Sequence, residues 1–545
     1  MALSTGVKRV AEPFLVFTIV LCGYLLTGSN DLRHNGDTYL RYQTTQALVD
    51  QGRAWIADPA SRDTRVSLGR GNHLYAFYAP GQALMMAPLY IAGKVAAHHL
   101  GLPYDISTLY ATRSVDLWLG ALLALVFYAL CCAVGYRKSV ASVLTLIFAF
   151  ATVAWPDAQS ALEQTQVNLF VLLAVLGVWL FIKAGSHARR WLFLAGSSIG
   201  LAVFTRYDAL LYVPVFLGFM LAVRWQRFER DHIWSDTAVF AAGAAPWLLG
   251  VAAWNVLRFG SPFLTGLHEQ TLGEPFLQGL AGLLISPGKG LLWYLPLIVL
   301  LPFAARRFYA RSASLSALFL VLILLPLLFY SNVLYWHGDP AWGPRYLYTA
   351  VPYLILPLGE ILMQWRRTGA SLKTALVMLV LGSIGLNLAA VSVTQWRFWY
   401  RLQATLQQQS SAADWTGQPF HWGAQHYHYY WIPRESPLFI QVDDVYQIAR
   451  LQLADDRKYL LTGHPDPYTA TSPADNYSIN TLAFWWADTR HPLLGRQTRS
   501  ALALLLGFAM ALALLLLGWR LRGPPSEVEA RVPETDIAAF TRAGT

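Results

Sequence analysis

Residues 115–134 read VDLWLGALLALVFYALCCAV, twenty positions in which Asp116 is the one charged side chain. A helix of this length and composition can cross a hydrocarbon core about 30 Å thick. A helix is expected because it satisfies its own backbone hydrogen bonds inside lipid. Eleven more apolar runs lie near 13–28, 139–155, 167–182, 190–204, 209–223, 237–257, 291–304, 314–330, 346–363, 373–393 and 499–519. The sequence therefore predicts an all-α polytopic membrane protein with about twelve transmembrane helices.

The composition supports this prediction. Of the 545 residues, 55% are hydrophobic and only 13% are charged, with a mean hydropathy of +0.38. Such values are far from those of a soluble domain. All three cysteines lie inside predicted spans, so neither a disulfide framework nor a metal-thiolate site is expected. The first apolar run lacks a cleavage motif of small residues and is interpreted as a retained anchor.

Lys and Arg residues set the predicted orientation, because short cytoplasmic loops are enriched in them. With twelve spans, every basic cluster falls on the same side as the N-terminus: Lys8 and Arg9, Arg137 and Lys138, Lys183, Arg189 and Arg190, Arg224, Arg227 and Arg230, Arg306, Arg307 and Arg311, Arg366, Arg367 and Lys373, Arg520 and Arg522. This agreement requires two helices, not one, within 190–223. Most of the net charge of +10 then comes from basic residues that set the membrane orientation, so this charge does not indicate a nucleic-acid-binding protein.

The connections on the predicted outer side are too long to be simple loops. The first outer loop, 29–114, contains a helix-patterned stretch at 37–50 and an amphipathic stretch at 79–100, which we expect at the membrane interface. Residues 258–290 form another interfacial element. The predicted organisation is a transmembrane module at 1–393, an extracytoplasmic domain of mixed structure at 394–498, a last helix at 499–519 and a disordered cytoplasmic tail at 520–545.

Carboxylates near the outer ends of the spans are candidate functional groups. Asp37 follows the first span and stands where it can cap the next helix, a role that does not exclude catalysis. Asp31 precedes it in the same loop, where a solvated carboxylate is the alternative. Glu163 lies in another outer loop, where it could contact a metal or an acceptor, or be a plain solvated charge.

Three cations at the same ends are candidate phosphate ligands. Arg206 follows the fifth span, Lys289 stands between two glycines in SPGKG at 286–290, and Arg345 follows a loop rich in Trp, Gly and Pro. For each of them, snorkelling to the interface is the alternative. Flanking glycines let a backbone approach a phosphate closely, and a rigid turn can aim a guanidinium. His337 and Asp339 lie in the loop before Arg345 and are possible secondary contacts.

Four segments together resemble the C-type glycosyltransferases that use polyprenyl-phosphate sugars. They are the Asp37 loop, YAFYAPGQAL at 75–84, SPGKG at 286–290 and WGPRY at 342–346. The superfamily includes protein O-mannosyltransferases, the aminoarabinose transferase and the mycobacterial arabinofuranosyltransferases. The resemblance covers roughly residues 14–393 in layout, and the combination of segments is more specific than any one of them.

The resemblance implies an inverting transfer of sugar from a polyprenyl-phosphate donor to an extracytoplasmic hydroxyl. Asp37 would be the catalytic base, with Lys289, Arg345 and Arg206 on the donor phosphate. Further contacts would come from Asp31, Glu163, His337, Asp339, Tyr78 and Gln82. Thr38 stands where the family often has a second acid, which weakens the case for a metal-binding acidic pair; no cofactor is certain, and a divalent cation stays open.

The sugar and the acceptor are left open by the sequence. The arabinofuranosyltransferase-like segments favour a pentose, by analogy alone; the acceptor could be a glycan, a lipid or a protein such as a pilin. The expected location is the bacterial cytoplasmic membrane, with the active site on its outer face. A transporter or flippase of lipid-linked sugars is the alternative function, although such proteins usually show two comparable halves and polar groups near the bilayer midplane.

Overall fold

A computed structural model describes residues 2–29, 36–56, 65–184, 188–226, 230–267, 272–338, 341–394, 398, 429–453, 482–487 and 493–522. This part of the chain is mostly helical. Its helices are α1 Ala2–Leu26, α2 Gly36–Gln51, α3 Gly81–Leu100, α4 Tyr104–Arg113, α5 Val115–Val134, α6 Lys138–Phe150, α7 Ala154–Ala158, α8 Gln164–Ala184, α9 Arg190–Thr205, α10 Tyr212–Gln226, α11 Ile233–Phe259, α12 Phe276–Ile285, α13 Leu291–Tyr294, α14 Leu301–Arg311, α15 Ala313–Tyr330, α16 Val351–Ile355, α17 Gly359–Met363, α18 Ala370–Ser392, α19 Pro437–Leu453 and α20 Arg496–Arg522.

Short 3₁₀ segments connect several of these helices. They are Arg70–Asn72, Tyr207–Leu211, Arg230–His232, Pro296–Leu300, Arg345–Ala350, Leu356–Leu358, Trp365–Arg367 and Pro433–Glu435. A two-stranded antiparallel sheet pairs β1 Val66–Leu68 with β2 Leu74–Ala76, and Ser67 stands opposite Tyr75. The all-α fold class predicted from the sequence is confirmed.

Eight helical segments are long and apolar enough to cross a membrane: Tyr104–Val134, Gln164–Ala184, Tyr207–Gln226, Ile233–Phe259, Ala313–Tyr330, Arg345–Met363, Ala370–Ser392 and Arg496–Leu521. Three other predicted spans coincide with shorter apolar helices, Ala11–Leu26, Lys138–Phe150 and Arg190–Thr205. The chain is therefore a multi-pass membrane protein. Its orientation and the predicted count of twelve stay predictions.

The predicted span at 291–304 is not one helix. It divides into α13, the 3₁₀ segment Pro296–Leu300 and α14, and Leu295 between them has φ −138° and ψ 61°. Pro296 and Pro302 cause the division, since proline has no N–H to donate and crowds the preceding turn. Hydropathy alone does not detect such a break.

The division of 190–223 into two helices is present in the structure. α9 ends at Thr205, and Arg206 is extended at φ −152° and ψ 124° before the next 3₁₀ turn. α9 packs between α8 and α11. Gly196 of α9 faces the backbone of Phe240, and Gly243 of α11 faces the backbone of Phe193; a Cβ at either glycine would stand 2.0 or 2.2 Å from the facing carbonyl oxygen. The two helices therefore touch backbone to backbone.

The first outer loop contributes α2, α3 and α4, and α3 packs against α2, α4 and α9. The polar stretch predicted at 37–50 is α2, and the amphipathic stretch at 79–100 is the single helix α3. Asp50 near the end of α2 accepts hydrogen bonds from Tyr90, Lys94 and Tyr104 at 2.5, 2.6 and 2.9 Å. These bonds attach α2 to α3 and α4.

Most of the predicted domain at 394–498, and the tail beyond Arg522, lie outside the described residues. Within that domain, α19 packs against α18, and Gln441 donates to the Val393 carbonyl at 2.7 Å. The proposed domain boundaries stay predictions.

Candidate functional site

Asp37 lies in the first turn of α2, where the helix dipole favours a carboxylate. Its Oδ1 accepts hydrogen bonds from Arg65 at 2.9 Å and from the Tyr78 hydroxyl at 2.5 Å. Burial alone would raise the pKa of Asp37, but the charges of Arg41, Arg345 and Arg65 and the bond from Tyr78 outweigh it and lower the pKa to about 2. Asp37 is therefore ionised at any physiological pH.

An ion pair between Arg41 and Glu163 lies beside this carboxylate. Arg41 stands four residues after Asp37, on the same face of α2. Its Nη2 is 2.6 Å from Oε2 of Glu163, and its guanidinium lies 3.8 Å above the ring of Tyr78. Glu163 is only 7% exposed; burial opposes ionisation, but the surrounding guanidinium groups, that of Arg41 first, lower its pKa. The interpretation of Glu163 as a solvated loop charge is wrong.

A strained turn positions Glu163. Ala161, two residues before it, has φ +52°, a left-handed conformation that costs a non-glycine residue free energy. The carbonyl of Ala161 accepts from Thr38 at 3.1 Å and from Gln82 at 2.8 Å. Gln82, predicted as a secondary site residue, is fully buried and holds this turn.

Arg206 connects Glu163 to the next part of the site. Its Nη1 donates to Glu163 at 2.9 Å, and its Nε donates to both oxygens of Asp208, at 2.7 and 2.8 Å. Its Nη2 donates to the Tyr330 hydroxyl at 3.1 Å, which in turn donates to Asp208. This pairing replaces the snorkelling interpretation of Arg206, since the guanidinium contacts two carboxylates.

Arg345 begins the 3₁₀ segment Arg345–Ala350 and is 8% exposed. Its Nη2 donates to the Tyr346 hydroxyl at 3.2 Å, and the Tyr346 ring stacks on Tyr330 at 4.3 Å between centroids. Its Nε and Nη1 have no hydrogen-bond partner, and no carboxylate of the described chain lies within ion-pair distance. A buried guanidinium in this condition costs free energy unless an anion binds it.

A cavity of about 420 Å³ opens beside Arg345. One wall is polar and carries Gln164, Arg206, Asp208, Arg345 and Tyr346. The other wall is mainly apolar: Leu211 comes from the 3₁₀ segment before α10, and Leu325, Pro326 and Phe329 come from α15. The cavity begins where α8 begins, so the positive end of that helix dipole faces it. This combination suits an anionic head group on an apolar chain.

Lys289 lies in a different cluster. It is fully buried, its Nζ donates to the Ala341 carbonyl at 2.6 Å, and it lies 5.9 Å from the Tyr430 ring centroid. His337 stacks on the same ring at 5.2 Å. Neither Lys289 nor His337 is among the described residues that line the cavity. Their predicted roles at the donor and acceptor stay predictions.

Two predicted contacts, Asp31 and Asp339, lie outside the described residues. Within those residues, no group of three or more His, Cys, Asp or Glu side chains is arranged to hold a metal ion. The three cysteines are free, as expected from the sequence.

Sequence reasoning does not identify four members of the network as site residues: Arg41, Arg65, Asp208 and Tyr330. Two of them carry a usable signal, because Arg41 follows Asp37 at helical spacing and Asp208 follows Arg206 in the same connection. Arg65 and Tyr330 reach the site through tertiary packing alone.

Comparisons with known proteins bear on the same region. A family model described as dolichyl-phosphate-mannose-protein mannosyltransferase matches residues 100–261, which include Glu163, Arg206 and Asp208. No curated protein sequence matches the chain.

Solved structures of similar shape include the archaeal oligosaccharyltransferase AglB from Archaeoglobus fulgidus, in complex with an inhibitory peptide and a dolichol-phosphate. The TM-score is 0.50 at 13% identity, over 79% of this chain and 64% of that one. The match thus spans less than two thirds of the AglB chain. ArnT from Cupriavidus metallidurans bound to undecaprenyl phosphate aligns with a TM-score of 0.45 at 16% identity, over 83% and 73% of the two chains.

These comparisons agree with the resemblance found in the sequence. The mannosyltransferase model covers the middle of the chain, and the AglB match extends the likeness to most of its length. The chain therefore has the fold of the C-type glycosyltransferase superfamily.

Proposed function

We propose that this chain is an inverting glycosyltransferase that moves a sugar from a polyprenyl-phosphate donor to an acceptor hydroxyl. The transfer would take place on the outer face of the cytoplasmic membrane. The observation that carries the proposal is Arg345, a buried guanidinium whose Nε and Nη1 have no hydrogen-bond partner among the described residues, beside a cavity with an apolar wall. The phosphate of the donor would bind Arg345 and Arg206, and its lipid chain would lie along α10 and α15. The fold, and the lipid phosphates named in the AglB and ArnT structures, support this choice of donor.

The reaction needs one base and a stabilised leaving group. The acceptor oxygen attacks the anomeric carbon, the bond from that carbon to the phosphate oxygen breaks, and the hydroxyl proton passes to Asp37. Polyprenyl phosphate leaves with the bonding electrons, so no acid has to protonate it. Attack opposite the leaving group inverts the anomeric centre.

The charges of the contact network match both sides of this reaction. Among the described residues, four guanidinium groups, of Arg41, Arg65, Arg206 and Arg345, accompany three carboxylates, of Asp37, Glu163 and Asp208. The surplus positive charge balances the single charge of the donor phosphodiester. After transfer the phosphate carries two negative charges and Asp37 is protonated, so the balance is kept. The low pKa of Asp37 rises when a phosphate offsets the charge of Arg345, which favours proton transfer.

An Asp37→Asn variant tests the proposal. General-base catalysis is worth about 10²–10⁴-fold, so we expect sugar transfer from radiolabelled donor to fall by about that factor, with donor affinity retained. Because the pKa of Asp37 is about 2 in the free enzyme, wild-type kcat/KM should not fall between pH 8 and pH 5 through protonation of this residue.

Asp105→Asn is the matched control, since Asp105 is an exposed acid on the neighbouring helix α4. Its transfer rate should equal that of the wild type. Normal transfer by Asp37→Asn would exclude Asp37 as the base. The flippase alternative makes a different prediction. Wild type and Asp37→Asn would then both move lipid-linked sugar across a vesicle membrane, and neither would transfer the sugar to an acceptor.

A further inference from the structure

Gln164, the first residue of α8, is a buried amide that the proposed reaction does not use. It is 4% exposed, and neither its Oε1 nor its Nε2 has a hydrogen-bond partner in the part of the chain that the structure describes. Each unsatisfied buried polar atom costs about 1–3 kcal/mol. Gln164 lines the cavity together with Arg206 and Arg345. The amide is therefore placed to bind a ligand in that cavity.

The position of Gln164 is fixed before any ligand arrives. It directly follows Glu163, which contacts Arg41 and Arg206, and the preceding turn is held through the carbonyl of Ala161. A side chain on such a rigid support can discriminate between ligands, because little ordering entropy is lost on binding.

We propose that Gln164 binds the sugar ring of the donor, and that this sugar is uncharged and bears hydroxyl groups near the anomeric carbon. The inference rests on the proposed function. An amide offers two N–H donors and a carbonyl acceptor, and a hydroxyl group both donates and accepts. One amide can thus bind two neighbouring hydroxyls. A phosphate cannot use the Oε1 atom, because a phosphodiester has no hydrogen to donate.

The charges around the cavity disfavour an amino sugar, although the carboxylate of Asp208 also lines it. An ammonium group would lie beside Arg206 and Arg345, where like charges repel. Each carboxylate of the network already contacts an arginine. The buried carboxyls of Asp116 and Asp157 do not line the cavity, and they accept hydrogen bonds from Gln166 and Thr165 at 3.1 Å each. A neutral sugar meets none of these obstacles.

Binding measurements on the full-length protein in nanodiscs test this proposal without an acceptor. The probes are sugar-free polyprenyl phosphate, polyprenyl phosphate carrying a neutral hexose or pentose, and the same lipid carrying an amino sugar. We expect wild type to bind a neutral-sugar lipid more tightly than the sugar-free lipid. Gln164→Ala should lose about tenfold or more in affinity for the sugar lipid and keep its affinity for the sugar-free lipid.

Two further variants complete the experiment. Gln164→Glu should shift the preference toward the amino-sugar lipid, because it adds a carboxylate to the cavity. Gln278→Ala, at an exposed position on α12, is the matched control and should bind all probes as wild type does.

Several outcomes would overturn the inference. One is an equal loss of affinity for the sugar lipid and the sugar-free lipid in Gln164→Ala. That result would mean that Gln164 contacts the phosphate or that the variant is misfolded. Others are unchanged sugar-lipid affinity in that variant, or a wild-type preference for the amino sugar. Failure of the proposed function has a different signature: the wild-type protein would then bind no polyprenyl phosphate, or would bind the sugar lipid without transferring its sugar to any acceptor.

Discussion

Near each end of α10 lie arginines, an aspartate and a cavity, yet the two ends differ in how the charges are satisfied. At one end, a cavity of about 420 Å³ contains the unpaired N–H groups of Arg345. At the other, a cavity of about 440 Å³ is lined by apolar residues around an ion pair. There Asp236 accepts from Arg224 at 2.7 Å and from Arg189 at 3.0 Å. The two cavities are similar in size, so the unsatisfied atoms of Arg345 and Gln164, not volume, distinguish the proposed site.

Exchange of one arginine at each end should separate binding from stability. Arg345→Met should lower the affinity for polyprenyl phosphate about 10–100-fold, since charged hydrogen bonds are worth about 1.5–3 kcal/mol. It should leave the melting temperature unchanged or higher, because an unpaired buried charge is removed.

Arg224→Met should do the reverse. It removes a partner from buried Asp236, so we expect a loss of about 1–3 kcal/mol of stability with donor affinity intact. Lipid-binding titrations and thermal unfolding by tryptophan fluorescence measure both quantities. If the two variants lost affinity and stability in parallel, the contrast between the cavities would be wrong.

The next effect concerns a carboxyl just behind the site. Burial raises the pKa of Asp157 to about 7, against an ordinary value of 3.8, although Thr165 and nearby arginines oppose the rise. Because the pKa is higher in the folded state, the contribution of this carboxyl to the free energy of unfolding is fully present below pH 3.8. That contribution is lost as the pH rises through 7. Asp157→Asn cannot ionise, so it should exceed wild type in stability at pH 8, by up to about 4 kcal/mol, and match it near pH 4.

Unfolding of both proteins in detergent across this pH range measures the difference. Asp105→Asn, an exposed acid, should show no such pH-dependent gain. A constant offset between Asp157→Asn and wild type at all pH values would contradict the raised pKa and indicate a packing effect instead.

The smallest effect we expect is at the turn before Glu163. Ala161→Gly relieves the left-handed strain at φ +52° and should raise stability by about 1 kcal/mol. Transfer should be unchanged, because the carbonyl still accepts from Thr38 and Gln82. Ala158→Gly, inside the helix α7, is the control and should lower stability by a similar amount. A loss of stability in Ala161→Gly would mean that the methyl group contributes more packing than strain.

Much of the fold could be predicted, because every span must be an apolar helix long enough to cross the hydrocarbon core. Apolar length predicts α5, α8, α11 and α18 within a few residues, and loop charge predicts the break at Arg206. The prediction fails at 291–304, where the apolar composition continues although Pro296 interrupts the backbone hydrogen bonds.

The site is only partly predictable. Asp37, Glu163, Arg206 and Arg345 carry a signal because they are ionisable residues beside the spans on the side away from the basic clusters. Which of them contact each other depends on packing: Arg41 and Glu163 are 122 positions apart in the chain, and no local pattern joins them. The condition that marks Arg345 and Gln164, a buried polar atom without a partner, exists only in three dimensions.

The backbone contact between α9 and α11 has a consequence for how a lipid enters. Helices that touch through Gly196 and Gly243 cannot move apart without losing that contact, so we expect them to move together. This pair of helices carries the segment with Arg206 and Asp208, and Arg258 of α11 attaches to it by donating to Tyr207 at 2.7 Å. We therefore expect the polar wall of the cavity to stay still while α15 yields, so that a long-chain lipid arrives sideways from the bilayer.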